Sequence, residues 1–325
     1  GATYILPGVA EANGSSVPLV CLTSDIGVED RGKGTLTEMD QAGLFAPISK
    51  RVFSPTTGGD LPQLLRDAFR EATTGSLGAC HMSLPLDVQN QSVDASDVHA
   101  DDRFNRYPND RLTPDPDQVK DVARCLVNSR RPLLVAGAGA LRSGAWEEVI
   151  GLSHALGAPV ATSISGKGAI AETDAFSLGV IGSNGGLPWR HDLVRQADVI
   201  FYIGCGAGSV TTEKWTLPVP GSTTVLQLDT DRDIIGRVYD VAAAIRSDAS
   251  LGLAAVLEEV VALGADGAGD RVDPAEIAAA HHAHMERVAH LFHSDECPIR
   301  PERLMGELFN ALPTDSVIVA DPGTP

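Results

Sequence analysis

Basic residues are scarce: 25 Lys and Arg face 43 Asp and Glu, for a formal net charge of −18. Such an excess argues against a nucleic-acid or anionic-membrane surface, since both need basic patches. No apolar run approaches the roughly 20 residues that span a bilayer, and no basic segment precedes an apolar stretch at the N-terminus. Cys21, Cys80, Cys125, Cys205 and Cys297 are odd in number, scattered and never paired as CxxC. That fits reduced thiols in a cytoplasmic protein better than a disulfide framework or a zinc site. Nucleophile-elbow, GxxxxGK[ST] and HExxH motifs are missing, as are internal repeats and low-complexity tracts. What remains is a chain of 325 residues with 43% hydrophobic content, enough for two or three soluble domains.

The stretch Arg131 to Val160 organises the rest. Leu133 to Ala136 is an apolar run without alternation, as in a strand buried on both faces of a parallel sheet. Gly137 and Gly139 follow, Ser143 is expected to cap a helix carrying Trp146, Val149, Ile150 and Leu152, and Gly157 ends it before Pro159 starts the next strand. Before this unit, strands are expected at Pro18–Thr23, Ile48–Phe53 and Ala79–Leu84, with helices at 1–14, Leu36–Leu44 and Leu61–Thr73. From Asn90 to Asp117 the composition turns polar and Pro-rich, marking a domain boundary.

Beyond it come a helix at Asp117–Ser129 and strands at Pro159–Ile164, Val199–Ile203, Thr224–Leu228 and Ala243–Ile245. Helices are expected at Leu187–Gln196 and Ala249–Leu263, which gives a doubly wound α/β sheet of five or six parallel strands. A flexible break (264–270), helices at Pro274–His293 and Pro301–Leu312, and an apolar strand at Ser316–Ala320 close the chain. The implied division is 1–93, linker 94–116, central domain 117–263, linker and helix 264–295, and the start of a third domain at 296–325. Gly1 and the Gly-Pro turn after Ala320 lead us to expect part of a longer polypeptide.

Glycine-rich turns follow several of these strands: Gly137–Gly139, Gly166–Gly168, Gly182–Gly186 and Gly204–Gly208. They suit a diphosphate approaching backbone N–H groups, or simply tight strand-to-helix turns. Asp229 and Asp231 follow a strand, where a carboxylate can accept from ribose hydroxyls or cap a turn, and Asp248 has the same double reading. His290 and His293 stand three apart on an expected helix, a spacing open to a metal, though no carboxylate pattern completes a site.

In order and spacing, the segments resemble the thiamine diphosphate-dependent decarboxylase and carboligase family, acetolactate synthase-like members above all. Gly1-Ala-Thr3, Gly8-Val-Ala10 and Ser16–Val20 are similar to its "GPGATN…G…A…D..P.V" segment. Gly34 to Glu38 with Asp40, Gly43 and Pro47–Lys50 resemble "G…FQE.D..G…P.TK", and Gly75–Val88 resembles "GRPGPV…P.DV". RPLLVAGAGA, LGAPVATSISGKGAI, LGVIGSNGG, LQLDTD and VIVADPG follow in family order.

The resemblance implies an enzyme with pyrimidine-binding, central and diphosphate-binding domains, acting on a 2-oxo acid with thiamine diphosphate and Mg2+. It implies a homodimer or homotetramer. This chain would hold the back of the first domain, all of the second and the opening of the third. It lacks the family's catalytic glutamate and GDG metal motif, so the isolated chain is expected to be inactive. Lys50, Thr37 and Glu38 are the implied substrate-pocket residues, and Gly323 and Thr324 the implied diphosphate contacts. Gly137, Gly139, Gly182, Gly204, Asp229 and Asp248 would face a nucleotide in the central domain. Leu36-Thr37-Glu38 stands where the family has FQE, and Ile203–Val210 lacks the arginines of the family's flavin segment. FAD, ADP and no nucleotide therefore stay open. The rival is a nucleotide-binding or scaffold protein that keeps the fold without the chemistry.

Overall fold

The computed structural model describes residues 1–264 and 271–319. Its first unit is a three-stranded parallel sheet made of β1 (Leu19–Asp25), β2 (Arg51–Phe53) and β3 (Ala79–Pro85), in the order β1-β3-β2. Four helices accompany it: α1 (Leu6–Gly14), α2 (Gln41–Phe45), α3 (Leu61–Thr73) and α4 (Leu86–Gln89). Central β3 is buried on both faces because both are covered, with His81 and Ser83 as its polar residues. Cys80 and Met82 pack with Ala68 and Ala72 of α3, while Ala79 meets Val9 of α1 and Phe45 of α2. Thr57 and Asp60 form a capping box just before α3.

The second sheet has six parallel strands: β4 (Pro132–Ala136), β5 (Val160–Thr162), β6 (Ser177–Val180), β7 (Val199–Ile203), β8 (Thr224–Asp229) and β9 (Val241–Arg246). Their order is β6-β5-β4-β7-β8-β9. The winding reverses between β4 and β7, and such a switch point opens a crevice beyond the carboxyl ends of the strands. Helices α5 (Pro116–Asn128), α6 (Ala138–Ser143), α7 (Trp146–Leu156), α8 (Pro188–Gln196) and α9 (Ala249–Ala262) surround the sheet, followed by α10 (Pro274–Val288) and α11 (Pro301–Ala311). Alternation along β4 divides the core: Leu134 and Ala136 join α5, α7 and α9, whereas Leu133 and Val135 join the side carrying Leu193 and Val194 of α8 and Ile277 of α10. No helix among the described residues is long and apolar enough to cross a membrane.

Several expectations need correction. Ser143 ends α6 instead of capping α7, whose preceding residue Ala145 makes no side-chain cap. The Ser143 hydroxyl is drawn to Asp248 at 2.7 Å, a partner distant in sequence. The helix expected at Leu36–Leu44 begins only at Gln41, because the Asp40 side chain accepts from Gly43 N–H and fixes the start there. The helix expected at Pro274–His293 gives way to a 3-10 turn at Ala289. Ser316–Val319 is not a strand: Val317 and Val319 are about nine-tenths exposed, with no described strand beside them to complete a ladder. Strand β6 is an addition. Gly323, Thr324 and most of the 264–270 break lie outside the described residues.

Candidate functional site

Two concavities sit at the carboxyl ends of the sheets. The larger is a cleft of about 550 Å³ at the β4/β7 switch point, with Ser15 and Ser76 of the first unit forming its opposite wall. Gly137 and Gly139 both line it, but their N–H groups are spent on the Ile203 and Gly204 carbonyls at 2.9 and 3.0 Å. A Cβ on Gly137 would lie 2.3 Å from the Gly204 carbonyl oxygen, and one on Gly139 would lie 2.6 Å from Gly204 Cα. These glycines therefore let two strand-to-helix turns touch, and their amides are not free for a phosphate. Gly182, with φ at +98°, performs the same service against Val210.

The carboxylates behave differently from one another. Asp229, at the end of β8, accepts from Asp231 N–H at 2.9 Å, and burial pushes its carboxyl up to about 6. Asp231 accepts from the Ser76 hydroxyl at 3.2 Å, joining the two units across the cleft. Asp248 is fully engaged: it caps α9 through Leu251 N–H and binds Arg111 at 2.9 Å and Ser143 at 2.7 Å. Its cap reading is the one the geometry fills. Arg142 and Arg237 also line the cleft, and Arg142 donates to the Ser15 carbonyl. Sequence reasoning missed both, although Arg142 follows the first glycine turn by one helical turn.

The smaller concavity, about 300 Å³, lies beyond the carboxyl ends of β1, β2 and β3, where Asp25, Ser54 and Ser83 line it. The loop carrying Glu38, Asp40 and Gln41 forms one wall, and Arg31, 3.3 Å from Asp25, is the one lining cation among the described residues. Glu38 accepts from the N–H groups of Gly32, Gly34 and Thr35, which hold its carboxyl below the usual range. Thr37 beside it has φ at +70°. Lys50 is elsewhere. Its backbone N–H meets the carbonyl of Ala79, the first residue of β3, and its ammonium donates to the Glu71 and Thr74 carbonyls at the end of α3. Ser83 is four strand steps further along, roughly 13 Å at ~3.3 Å per residue. The structure thus keeps Thr37 and Glu38 together and places Lys50 at the opposite edge of the sheet. His290 and His293 fall in the turn after α10, and among the described residues no group of three ligand-type side chains could hold a metal.

Residues 119–257 match the family described as "Thiamine pyrophosphate enzyme, central domain". This central part of the chain belongs with the thiamine pyrophosphate enzymes. The chain is 31% identical over 320 residues, 95% of its length, to a probable acetolactate synthase large subunit of Methanococcus aeolicus, covering 52% of that relative. To the acetolactate synthase isozyme 3 large subunit of Escherichia coli it is 30% identical over 258 residues, 79% of this chain and 45% of that one. The chain spans about half the length of the curated relatives it matches. A benzoylformate decarboxylase from Polynucleobacter necessarius shares the fold at a TM-score of 0.76 and 22% identity, covering 98% of this chain and 56% of that one. The two concavities lie where α/β sheets place ligands.

Proposed function

We propose that a polypeptide carrying this chain decarboxylates a 2-oxo acid with thiamine diphosphate and ligates the product to an acceptor, in the manner of an acetolactate synthase. The observation that carries this reading is the likeness to an acetolactate synthase large subunit along 95% of the chain. When bound, thiamine diphosphate supplies an electron sink for the carbanion left by decarboxylation. The residues of this chain bind and orient. In the smaller concavity, Arg31 is the cation able to meet a 2-oxo acid carboxylate, a role better suited to it than to Lys50. Glu38, kept ionised by three backbone N–H groups, braces the loop that carries Thr37. Gly323 and Thr324 are our assignments for the cofactor diphosphate. Magnesium and assembly as a homodimer or homotetramer rest on the family relationship alone.

The central cleft fits a nucleotide of ADP type in its donors and acceptors. Arg142 and Arg237 would face a diphosphate, and Asp229 and Asp231 would accept from ribose hydroxyls. The amides of Gly137, Gly139 and Gly204 would add nothing. A flavin extension of that nucleotide is the larger variant of the same proposal.

The test is consumption of pyruvate and benzoylformate by the protein supplied with thiamine diphosphate and Mg2+, alongside a titration with ADP. Arg31→Met should raise KM for the 2-oxo acid by about tenfold or more with a smaller change in kcat, as loss of one charge-assisted contact implies. No cofactor binding and no 2-oxo acid consumption would defeat the enzymatic reading. Saturable ADP binding in that event would establish the nucleotide-binding scaffold instead.

A further inference from the structure

One wall of the central cleft is built from two loops that share no strand pairing. Asn184 comes from the β6–α8 loop, and Val210 and Thr211 come from the β7–β8 loop. The second loop is strained: Glu213, Lys214 and Trp215 have φ of +46°, +55° and +63°, three consecutive non-glycine residues in the left-handed region. Local bonds wind this turn. Thr212 Oγ1 donates to the Gly208 carbonyl at 2.9 Å and accepts Trp215 N–H at 3.0 Å, and Lys214 N–H reaches the Ser209 carbonyl at 2.7 Å.

Between the two loops stands His191, near the start of α8 and only 6% exposed. Gly182 N–H donates to its Nε2 at 3.1 Å, so Nε2 carries no proton. The remaining proton sits on Nδ1, which faces Glu213 Oε1 at 3.3 Å. Gly186 packs so closely on the ring that an added Cβ would lie 2.3 Å from Nε2. One imidazole therefore holds the first loop with one nitrogen and the strained turn of the second with the other. A direct bond between the loops, Ser183 N–H to the Val210 carbonyl at 2.8 Å, lies beside it.

We infer that His191 is a positioning residue that clasps the two loops of the cleft wall, and that protonation of its Nε2 undoes the clasp. An imidazolium has two donors and no acceptor. It would set an N–H against the buried N–H of Gly182 while keeping its contact with Glu213. The charged groups around the ring are Glu213 on the turn, 3.9 Å from Arg195, together with Arg190, Asp192 and Arg195 on α8. The loop Gly182–Gly186 carries none. Helix α10, packed on α8, brings His281 against Trp189 and His284 within the influence of Arg190. Burial opposes the imidazolium most, Arg195 and Arg190 oppose it further, and Glu213 and Asp192 favour it. The clasp is thus closed at neutral pH and opens on the acid side of the ordinary histidine range.

Amide hydrogen exchange, corrected for intrinsic rates, reads the clasp directly. Segments 181–186 and 211–216 should be protected at pH 7.5. They should lose protection together, about tenfold or more, as the pH falls from 7 to 5, while the amides of β4 and β7 hold theirs. His191→Gln retains an acceptor and a donor without titrating, so it should keep both segments protected over the same range. His191→Phe should release both already at pH 7.5. The inference is overturned if the two segments respond independently, if neither responds to pH, or if His191→Gln acidifies as the wild type does. Should His191→Phe not fold, the ring 15N shifts of the native protein decide: a protonated Nε2 at pH 7.5 overturns the clasp, and a protonated Nδ1 supports it.

Discussion

His81 lies face to face with Phe45, ring centroids 3.7 Å apart and planes 3° from parallel. The imidazole is fully buried, and its hydrogen bonding runs in one direction only. Gln41 spends its amide N–H on the Ser24 carbonyl at 2.9 Å, so its oxygen accepts the Thr23 hydroxyl at 2.5 Å. The Thr23 oxygen is then left to accept from His81 Nε2 at 2.8 Å, and Nδ1 finds no partner among the described residues. Burial pushes the ring down to about 4, against a weaker upward pull from Asp25. Because the folded value is depressed, the unfolded chain takes up the proton first, and stability is lost progressively as the pH falls from about 6.5 to about 4. At ~1.36 kcal/mol per pKa unit the loss is on the order of 3 kcal/mol. Urea unfolding across this window should show His81→Leu less stable at pH 7, by about 1 kcal/mol for the lost bond. Its acid limb should be correspondingly flatter. Parallel acid limbs for variant and native protein would show that His81 does not titrate as argued.

The contact between Gly139 and Gly204 sets up a test with a definite sign. Gly139 lies within α6, where helix propensity alone would make Gly139→Ala stabilising by about 1 kcal/mol. The Cβ would instead meet Gly204 Cα at 2.6 Å, backbone that cannot step aside without moving β7. We expect a net destabilisation of about 1–3 kcal/mol, the usual range for overpacking. A thermal midpoint equal to or above that of the native protein would contradict it.

How much of this was legible in the residues depends on whether the deciding partner lay nearby. Leu133–Ala136 announced a strand because both of its faces are apolar, and Gly157 announced a helix end through its left-handed geometry, φ +56°. Strand β6 escaped notice because it has only four residues and holds Gly179 at φ +68°. Ser316–Val319 misled in the opposite direction, since a strand belongs to its sheet and an apolar run alone does not make one. Gly137 and Gly139 were recognisable as special. What they pack against, Gly204, is distant in sequence, so a phosphate loop and a tight contact looked alike. Arg142 and Arg237 gave no signal because a lone arginine resembles any surface residue until the fold gathers it into a cleft.

Lys50 is a case where motif and geometry lead to different measurements. Its ammonium holds the Glu71 and Thr74 carbonyls at the C-terminal end of α3, where a cation also favours the helix dipole. Lys50→Met should therefore lower stability by about 1–2 kcal/mol, read as a shift in the urea midpoint. If the lysine serves substrate alone, the variant will lose turnover at unchanged stability, and the strut assigned here is wrong.

Asp229 carries a cost that the fold itself does not require. Its carboxyl, raised to about 6 chiefly by burial, binds a proton more tightly in the folded chain than in the unfolded one. The associated stability is present in full below about pH 3.8 and is lost as the pH rises through about 6. At neutral pH the protein thus bears a desolvated carboxylate held by backbone N–H groups, that of Asp231 at 2.9 Å and that of Thr230. Asp229→Asn keeps an acceptor oxygen for these N–H groups and removes the charge. It should raise stability at pH 7.5 by about 1–2 kcal/mol and leave it unchanged near pH 4, so that the two pH profiles converge on the acid side. We propose that this costly carboxylate at the mouth of the cleft serves binding. The same variant should accordingly weaken ADP binding by tenfold or more, measured calorimetrically at pH 7.5, because a ribose diol would lose its charged acceptor. Greater stability with undiminished ADP affinity would detach Asp229 from the nucleotide and leave only its cost.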